Sequence, residues 1–425
     1  MISSQFGYIN SNKKKMKLNI AICGLTHLGL VYAAIFSKNF NCILYDKDRN
    51  HISNLSNNIF EIKEYNLKEQ LIRNKKNITY TNNINDIKNT NLIFLTLDIK
   101  TNSKGDSSYY QLNKYILDIK KILDKKKTLI ILSQLKPGFC RNLKKSISCE
   151  LIYFVETLVF GRAIERAMHP ERIIIGINQR ISNNFQKFLK IFKCPIIKMS
   201  YESAELTKIS INLFLVSSVI TTNYISKISK KISANWSDIK KAIQLDKRIG
   251  KYSYLSPGLG ISGGNLERDL ISIKKLSENL KIKPYLIDTW IKESASQKLW
   301  ISRILKKIGK KLNIKKVGLL GIAYKVGTNS IKNSPSILTI KGNKNYFFKC
   351  NDPLVEKKKY FKNMDFFSLK ECLNGIDALI IAIPYKTYNS NFILKNINLK
   401  TKIIIDPFRV LDIKKKKKNF LYYYL

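Results

Sequence analysis

Cysteine and histidine are scarce in the sequence, and their spacing excludes two ways of holding a chain together. The 425 residues include seven cysteines and three histidines. No Cys-x-x-Cys pair occurs, and His27, His51 and His169 lie far apart. Structural zinc sites and disulfide scaffolds need paired or clustered ligands. We therefore expect reduced thiols and no metal site.

Long hydrophobic runs are also lacking. No apolar run approaches the roughly 18 residues of a membrane-spanning helix, and no charged-then-apolar leader ends in a cleavage site. This pattern predicts a cytoplasmic protein with no membrane partner. Met16 stands just before the first apolar segment. Residues 1–15 are therefore expected to be an extension, and translation starts at either Met1 or Met16.

Acidic residues are outnumbered, with 30 Asp and Glu against 76 Lys and Arg, which gives a formal net charge of +46. Such a field attracts nucleic acid and other anions. The excess is mostly lysine, however, and comes with abundant Ile and Asn, so A/T-rich codons account for it. The lysine runs at 13–15, 357–359 and 414–418 lie at ends or between apolar segments, without an aromatic-interleaved platform. Nucleic acid is not the expected partner, and a basic nucleic-acid-binding protein is kept as an alternative.

The apolar content is sufficient for several packed cores. Hydrophobic residues make up 44% of the chain and aromatic residues 11%. At about 100–200 residues per domain, the length predicts two or three domains. The chain is therefore expected to be globular rather than disordered.

The first part of the chain alternates strand and helix patterns. A strand at Leu18–Cys23, a helix at Leu28–Ser37 and a strand at Asn41–Tyr45 form a βαβ opening. Further strand patterns lie at Asn91–Leu97, Thr128–Ser133 and Arg172–Gly176. This alternation predicts an α/β fold with an N-terminal Rossmann-like, doubly wound parallel sheet over residues 16–199.

The middle of the chain has helical apolar spacing, at Tyr201–Leu245 and Gly264–Lys311. A loop rich in Gly, Ser and Pro, Tyr252–Gly264, separates the two stretches. Such a loop is either a ligand site, because backbone approaches a ligand closely there, or an ordinary connection. We predict a central helical region over residues 200–312.

The strand pattern resumes after Lys316. Strands are predicted at Val317–Ile322, Ala378–Ile383 and Lys402–Ile405, with helices between them. This segment, residues 313–425, is expected to be a smaller C-terminal α/β nucleotide-binding domain. Two nucleotide-type domains joined by a helical middle give two ligands a place to meet.

A candidate phosphate-binding loop follows the first strand and opens the first helix. It resembles the G-x-G-x-x-G fingerprint, whose backbone N–H groups receive a pyrophosphate. Asp46 closes the second strand about twenty positions on, where a carboxylate takes the ribose hydroxyls of NAD. We predict these cofactor-binding residues: Gly24, Leu25, Thr26, His27, Leu28, Gly29 and Asp46.

Two features of this loop leave alternatives open. Lys47 and Arg49 stand near Asp46 and keep NADP possible, since a 2′-phosphate needs a cation. Thr26 occupies the middle glycine position, where a missing side chain lets the backbone touch the pyrophosphate. Either the Thr26 hydroxyl contacts a phosphate, or dinucleotide affinity is reduced.

Six motifs occur in a fixed order, and the resemblance that they carry extends from about Lys17 to Asp412. Together they resemble the UDP-glucose/GDP-mannose (nucleotide-sugar) dehydrogenase family. The motifs are Gly24–Leu30, Ser133–Gly138, Glu156–Ala163 followed by Pro170–Gly176, Ala204–Asn212, Ser256–Asp269, and Gly321–Thr328 running to Ser334–Pro335.

This resemblance implies ligands, a reaction and an assembly. Members of the family bind NAD in the N-terminal domain and the UDP part of the substrate in the C-terminal domain. They oxidise the primary alcohol of a nucleotide-linked sugar to a carboxylate with two NAD per turnover, as in polysaccharide or cell-surface glycan precursor synthesis. The central region usually forms the homodimer contact, so a homodimer and a nucleotide-sugar substrate are expected.

The resemblance also implies roles for single residues. Lys208 and Asn212, one helical turn apart on one face, match the oxyanion-stabilising Lys and the Asn that holds substrate or water. Asp269 matches the acid that takes the hydroxyl proton through water, and Glu156 the carboxylate of the later hydrolysis. Further cofactor contacts are expected at Asp98, Ser133 and Lys332. Substrate contacts are expected at Arg248, Ser256, Gly258, Gly260, Tyr324 and Lys325.

The sequence departs from the family at the nucleophile. Asn265, four residues before Asp269, stands where the family has its catalytic Cys, and no Cys lies between 194 and 350. An amide cannot form the thiohemiacetal and thioester of the second oxidation. Near Glu156, Val155 replaces a Pro and Phe160 replaces a second carboxylate. The chain thus resembles an atypical member of the family, one that lacks the catalytic Cys.

Three outcomes follow from this departure. The enzyme stops at the aldehyde, or oxidises the aldehyde hydrate with Asn265 donating to the oxyanion, or binds a nucleotide sugar without turnover. Because Lys208, Asn212, Glu156 and Asp269 are retained, redox activity is favoured. A 3-hydroxy-acid type of dehydrogenase shares the N-terminal fingerprint but does not account for the segment from Val317.

Overall fold

The computed structural model describes residues 18–102, 105–397, 401–413 and 420–425. The expected extension at residues 1–15, Met16 and the lysine runs at 13–15 and 414–418 lie outside the described residues.

Strands and helices are numbered here in chain order. The strands are β1 (Asn19–Cys23), β2 (Asn41–Tyr45), β3 (Ile78–Thr81), β4 (Leu92–Leu95), β5 (Lys100–Thr101), β6 (Ser107–Ser108), β7 (Thr128–Ile131), β8 (Glu150–Phe154), β9 (Ile173–Gly176), β10 (Ile196–Met199), β11 (Lys316–Leu320), β12 (Phe347–Asn351), β13 (Met364–Phe366), β14 (Ala378–Ile381), β15 (Ile403–Ile405) and β16 (Leu421–Tyr423). The α-helices are α1 (His27–Phe36), α2 (Arg49–Ser56), α3 (Leu67–Arg73), α4 (Tyr110–Lys120), α5 (Phe139–Lys144), α6 (Ala163–Met168), α7 (Asn183–Leu189), α8 (Tyr201–Lys231), α9 (Trp236–Leu245), α10 (Asn265–Asn279), α11 (Tyr285–Lys298), α12 (Trp300–Ile308), α13 (Pro335–Gly342), α14 (Leu369–Leu373) and α15 (Ser390–Asn396).

The first of two compact units contains the described residues 18–99 together with Tyr109–Leu206. Its sheet has the strand order β10-β9-β8-β7-β4-β1-β2-β3. Neighbouring strands are parallel except β8 and β9, which pair antiparallel through Tyr153 and Gly176. The expected Rossmann-like sheet is confirmed, with this one antiparallel pair as a difference.

The central strands of the first sheet are buried on both faces. Every residue of β4, Leu-Ile-Phe-Leu, and of β7, Thr-Leu-Ile-Ile, is buried. Strands covered on both faces carry continuous apolar runs rather than alternating ones. α1 packs into the same core, with Leu28 to Phe36 buried. The helix that follows the phosphate loop is therefore fixed along nearly its whole length.

The second unit contains the described residues of the ranges Lys100–Ser108 and Thr207–Leu425. Its larger sheet has the order β13-β12-β11-β14-β15-β16, with every neighbouring pair parallel. Helices α9 to α12 and most of α8 belong to the same unit. The expected central helical region and C-terminal α/β segment are both present.

The two large sheets have the same glycine and hydrogen-bond pattern directly after their first strands. After β1, Gly24 at φ 92° donates its N–H to Tyr45 O at 2.9 Å, and Leu25 N donates to Asp46 Oδ2 at 2.8 Å. After β11, Gly321 at φ 93° donates to Asn351 O at 2.8 Å, and Ile322 N donates to Asp352 Oδ2 at 2.7 Å. Strand order reverses at β1 and at β11, which is where such sheets bind ligands.

Candidate active site

The phosphate loop requires glycine at its two ends. A Cβ on Gly24 would stand 2.6 Å from Leu97 Cγ, and the residue has a positive φ. A Cβ on Gly29 would stand 2.2 Å from Gly24 O and 2.8 Å from Thr96 Oγ1. The close approach of α1 to β1 and β4 therefore depends on these glycines, as the fingerprint requires.

Thr26 uses its hydroxyl inside the protein. The hydroxyl donates to Thr96 O at 3.1 Å and accepts from Asp98 N at 3.2 Å. A hydroxyl has a single donor, so none remains for a phosphate in this conformation. Thr26 is also the N-cap of α1 but makes no side-chain cap bond. The N–H groups of the first turn are therefore the donors suited to a pyrophosphate.

Asp46 is placed for ribose hydroxyls. It is half-buried, and its two oxygens accept from Leu25 N at 2.8 Å and Asp48 N at 3.1 Å, which leaves lone pairs for a ligand. Nearby, Lys47 Nζ pairs with Asp118 and donates to Lys114 O at 3.1 Å. The positive charge of Lys47 is therefore already paired with Asp118 rather than free for a 2′-phosphate, which favours NAD over NADP.

Ser133 supplies a further feature that suits a bound cofactor. It follows β7 and is fully buried, and its Oγ has no hydrogen-bond partner among the described residues. Buried hydroxyls normally find a partner. An unsatisfied hydroxyl beside the carboxyl end of a central strand fits the expected cofactor contact.

The catalytic candidates of the second unit meet around Asp269. The Asp269 side chain is 1% exposed, and its Oδ2 accepts from Asn212 Nδ2. Arg268 Nε lies 3.3 Å from Asp269 Oδ1. Burial raises the pKa of Asp269, while Arg268, Asn212 and the charge of Lys208 oppose that rise. A carboxylate with a raised pKa is a stronger base than an exposed carboxylate.

Asn265 is the first residue of α10 and is exposed. Asp269 follows one turn later, so both side chains lie on one face of the helix. The N-cap of α10 is Gly264, which has no side chain that could accept a hydrogen bond. The first N–H groups of α10 therefore remain as donors. This is a position where a helix terminus stabilises negative charge.

The seven cysteines are all buried or half-buried. Within the second unit, Cys350 and Cys372 are buried in the C-terminal core, and burial raises the pKa of the Cys372 thiol to about 12. Within the first unit, Cys194 is the half-buried thiol, and burial raises its pKa too. The others are buried in the first unit: Cys23, Cys42, Cys140 and Cys149.

Two buried amides hold the Gly-rich loop at Gly258. Its N–H donates to Asn223 Oδ1 at 2.8 Å, and its carbonyl accepts from Gln297 Nε2 at 3.0 Å. Gly260, at φ 82°, has no room for a Cβ, which would lie 2.7 Å from Ser294 O. Ser256 Oγ accepts from Lys240 Nζ at 3.0 Å. The loop backbone is thus fixed, as a ligand-binding loop requires.

The C-terminal candidates pack against the end of this loop. A Cβ on Gly263 would lie 2.6 Å from the Tyr324 ring, and Gly263 N donates to Lys332 O at 3.1 Å. Burial raises the pKa of Tyr324 to about 12, and Lys325 Nζ lies 5.8 Å from its ring centroid. Lys332 Nζ bonds to the Thr101 hydroxyl.

Comparison with known proteins divides the chain into the same three parts that the sequence predicts. Residues 18–194, 202–294 and 318–413 match, in turn, the NAD binding domain, the central domain and the UDP binding domain of one family. The chain belongs to the UDP-glucose/GDP-mannose dehydrogenase family. This dehydrogenase therefore uses NAD and acts on a nucleotide sugar.

Named relatives agree with this assignment. The UDP-glucose 6-dehydrogenase of Rickettsia typhi is 28% identical over 445 residues, covering 96% of this chain and 99% of its own. Among solved structures, a UDP-glucose dehydrogenase from Pyrobaculum islandicum has a TM-score of 0.85 at 19% identity, covering 97% of this chain and 98% of its own. A UDP-D-ManNAc dehydrogenase from Pyrococcus horikoshii has a TM-score of 0.83 at 21% identity, covering 96% and 99%. The two structures support the fold of this dehydrogenase.

Two further expected site residues contact near neighbours in the chain. Arg248 is exposed and pairs with Asp246, with Nη2 to Oδ2 at 2.6 Å. Glu156 belongs to the first unit, on the loop after β8, where it accepts from Leu158 N. Their roles in the dehydrogenase stay predictions.

Several residues that contact the candidate site residues were not found from the sequence. Arg268 is next to Asp269 within the matched motif, so its position alone was a usable signal. The loop-holding amides Asn223 and Gln297 and the buried carboxylate Glu64 carry no spacing that marks them, because their partners are far away in the chain.

We expect Gly29→Ala to weaken both stability and NAD binding. The added Cβ must displace Gly24 O, so overpacking should cost about 1–3 kcal/mol and disturb the phosphate loop. Thermal unfolding and calorimetric NAD titration measure the two effects. Gly342→Ala is the control, since its nearest neighbour would be 3.8 Å away. Equal behaviour of the two variants would contradict the packing argument.

Proposed function

We propose that this enzyme oxidises the primary alcohol of a UDP-sugar to the aldehyde, with one hydride transferred to NAD per turnover, in glycan precursor synthesis. The observation that carries the proposal is the Lys208, Asn212 and Asp269 cluster, retained beside an amide at Asn265. The UDP part follows from the match of residues 318–413 to the UDP binding domain.

The cluster is suited to removing the hydroxyl proton. Asp269 acts as base through a water molecule, since its buried carboxylate has a raised pKa. The Lys208 ammonium stabilises the alkoxide that forms, and Asn212, bonded to Asp269, orients the water or the substrate. The Gly24–Gly29 loop, Asp46 and Ser133 would hold NAD, which would supply the hydride acceptor. The hydroxyl proton goes to Asp269 through the water.

The second oxidation lacks its nucleophile. A side-chain amide forms no covalent adduct with an aldehyde carbon that can expel a second hydride. Because the chain's thiols are buried or half-buried elsewhere, none replaces it. Without a thioester, Glu156 has no intermediate to hydrolyse. We therefore infer that the aldehyde is released.

The decisive experiment supplies the enzyme with NAD and a panel of UDP- and GDP-sugars, and records NADH absorbance together with product mass. One NADH per aldehyde, with a UDP-sugar preferred, is the expected result. Two NADH per sugar acid would show that the aldehyde hydrate is oxidised with Asn265 in place. Saturable sugar binding without NADH would make the chain a binding protein and overturn the proposed enzyme.

We also propose the three-part division of labour expected from the sequence. Residues 16–199 bind NAD, residues 200–312 form the dimer contact, and residues 313–425 hold the UDP part. The enzyme is placed in the cytoplasm, with neither a membrane nor nucleic acid as partner.

An exposed apolar face of α8 supports a homodimer. Within the described residues, α8 is the helix long and apolar enough by length and composition to cross a bilayer, with 33% of its most apolar window buried. The sequence expectation missed this because Ser, Thr and Asn interrupt the uncharged stretch 209–226. Phe214 is 77% exposed, and Tyr224 and Ile228 are exposed too. Contact with a second copy would remove this apolar surface from water.

Phe214→Glu is expected to convert the dimer to a monomer. A charge at the centre of an apolar contact should weaken dimerisation at least about tenfold. Analytical ultracentrifugation should show wild type near twice 49.2 kDa and the variant near that mass. Leu117→Glu, an exposed apolar residue on α4, is the control. A monomeric wild type that sediments with lipid vesicles would instead make α8 a membrane contact.

A further inference from the structure

Glu64 is a buried carboxylate that holds two loops of the first unit together. Its side chain is 1% exposed, and its Oε2 lies 2.9 Å from His27 Nε2 and accepts from Gly161 N at 2.9 Å. Its Oε1 accepts from Ala163 N at 3.2 Å. Burial raises the pKa of Glu64, but these hydrogen bonds outweigh burial and leave the pKa lowered. The group therefore stays an anion that accepts three bonds.

One of the two loops is the phosphate loop. His27 is the first residue of α1, directly after the N-cap Thr26. Because Glu64 is ionised, the Nε2 atom of His27 carries the proton that it donates. The other side of the phosphate loop is tied independently, since His51 Nε2 lies 3.0 Å from Leu25 O. The position of His27 is thus set by Glu64 rather than by solvent.

The other loop carries Glu156. The ring of Phe160 stacks on the ring of His27, with centroids 4.2 Å apart and planes at 30°. Gly161 and Ala163 end the same loop, and Arg166 Nε donates to Thr157 O at 3.1 Å near its start. By its resemblance to the family, Phe160 replaces a second carboxylate. An aromatic ring that stacks on His27 therefore takes the position of a charged side chain.

We propose that Glu64 is a positioning residue that couples NAD binding at the phosphate loop to the conformation of the Glu156 loop. A pyrophosphate on the first turn of α1 would restrain His27, which contacts both Glu64 and Phe160. Through the N–H groups of Gly161 and Ala163, which Glu64 already holds, a bound cofactor would therefore restrain the loop of Glu156 further. The coupling rests on the NAD site of the proposed function and adds a residue outside the six matched motifs.

Glu64→Gln is the test, because the amide keeps the shape but presents an N–H toward a backbone N–H. Hydrogen–deuterium exchange of the peptides spanning 157–163 is measured with and without NAD, alongside calorimetric NAD affinity. In the wild type, exchange should slow when NAD is added. Glu64→Gln should lose that protection. It should also bind NAD about tenfold more weakly, a loss of affinity that lies within the interaction energies of residues in contact. Glu69→Gln, an exposed carboxylate in the first turn of α3, is the matched control.

A His27→Gln variant and the double variant separate coupling from general loss of stability. If Glu64 and His27 act as one unit, the double variant should bind NAD no more weakly than the weaker single variant. A Glu64→Gln enzyme with a lowered melting temperature but unchanged NAD affinity and unchanged protection would overturn the proposal. Hydride transfer is not the readout, so a wild type that binds NAD without turnover contradicts the proposed function alone. A wild type that fails to bind NAD overturns both.

Discussion

Replacing Asp269 by asparagine is expected to lower the rate of NADH formation by about 10²–10⁴-fold, the usual contribution of a general base. The amide accepts no proton at neutral pH, so the hydroxyl proton of the substrate has no destination. Arg268, only 8% exposed, also loses its hydrogen bond to this carboxylate, and a hydrogen bond to a charged group contributes about 1.5–3 kcal/mol. NADH absorbance and thermal unfolding measure the two effects.

Asp288→Asn is the matched control for that substitution. Asp288 is a carboxylate on α11 that pairs with Lys274 at 2.7 Å and is one-third exposed, so its loss should change neither rate nor stability much. NAD titration of both variants checks that the cofactor site is intact. A folded Asp269→Asn enzyme that keeps more than about a tenth of the wild-type rate would remove Asp269 from the proposed role.

The wild-type rate is expected to depend on pH for the same reason. The proposed base acts as a carboxylate, and burial raises its pKa above the ordinary value despite Arg268, Asn212 and Lys208. The rate should therefore fall as the pH drops through this raised pKa, earlier than for an exposed aspartate. In Asp269→Asn the residual rate should lose this acid limb.

The fold was predictable where burial dominates the sequence. Continuous apolar runs marked β1, β4, β7 and β14 because these strands are covered on both faces. β12, with the alternating burial of Phe-Phe-Lys-Cys-Asn, and the short β16 were missed. β8 was missed too, although all five of its residues are buried. Strand direction was also missed at β9, since apolar content does not encode it.

Helix ends in the central region were set by local backbone rather than apolar spacing. The spacing predicted one helical stretch over Tyr201–Leu245, but α8 ends at Lys231 and α9 begins at Trp236. Ser233 adopts φ 59° between them, and the Asn235 side chain accepts from Ser237 N as the cap of α9. An Asn before a new helix is a readable start signal, whereas a left-handed serine is not.

The site was predictable as a set of motifs but not as a set of contacts. The matched motifs named Asn212 and Asp269, and the structure joins them by a hydrogen bond. Thr26 was left with two alternatives, and its bonds to Thr96 O and Asp98 N add an internal role that one sequence could not show. Such partners depend on how strands far apart in the chain come together, which residue spacing does not reveal.

Asn265→Cys is expected to raise the yield from one NADH to two per sugar and to change the product from aldehyde to acid. The position is the first residue of α10, exposed and one turn from Asp269. A thiol at a helix N-terminus has a lowered pKa, because the helix dipole and the unpaired N–H groups stabilise the thiolate. The thiolate would add to the aldehyde carbon, and the adduct would transfer its hydride to a second NAD to give a thioester. In the proposed role of Glu156, water activated by that carboxylate would then hydrolyse the thioester, releasing the acid and the thiol. NADH absorbance against product mass gives the ratio.

Asn279→Cys supplies the matched control, since Asn279 is the exposed last residue of the same helix, where the dipole opposes a thiolate. Alkylation by iodoacetamide at neutral pH should be faster at residue 265 than at residue 279, and should remove the second hydride from Asn265→Cys alone. A reactive thiol at 265 with the ratio still at one would mean that a second element of the site, with the altered loop around Glu156 as the first candidate, also blocks the later oxidation. An unreactive thiol would contradict the electrostatic account of the α10 terminus.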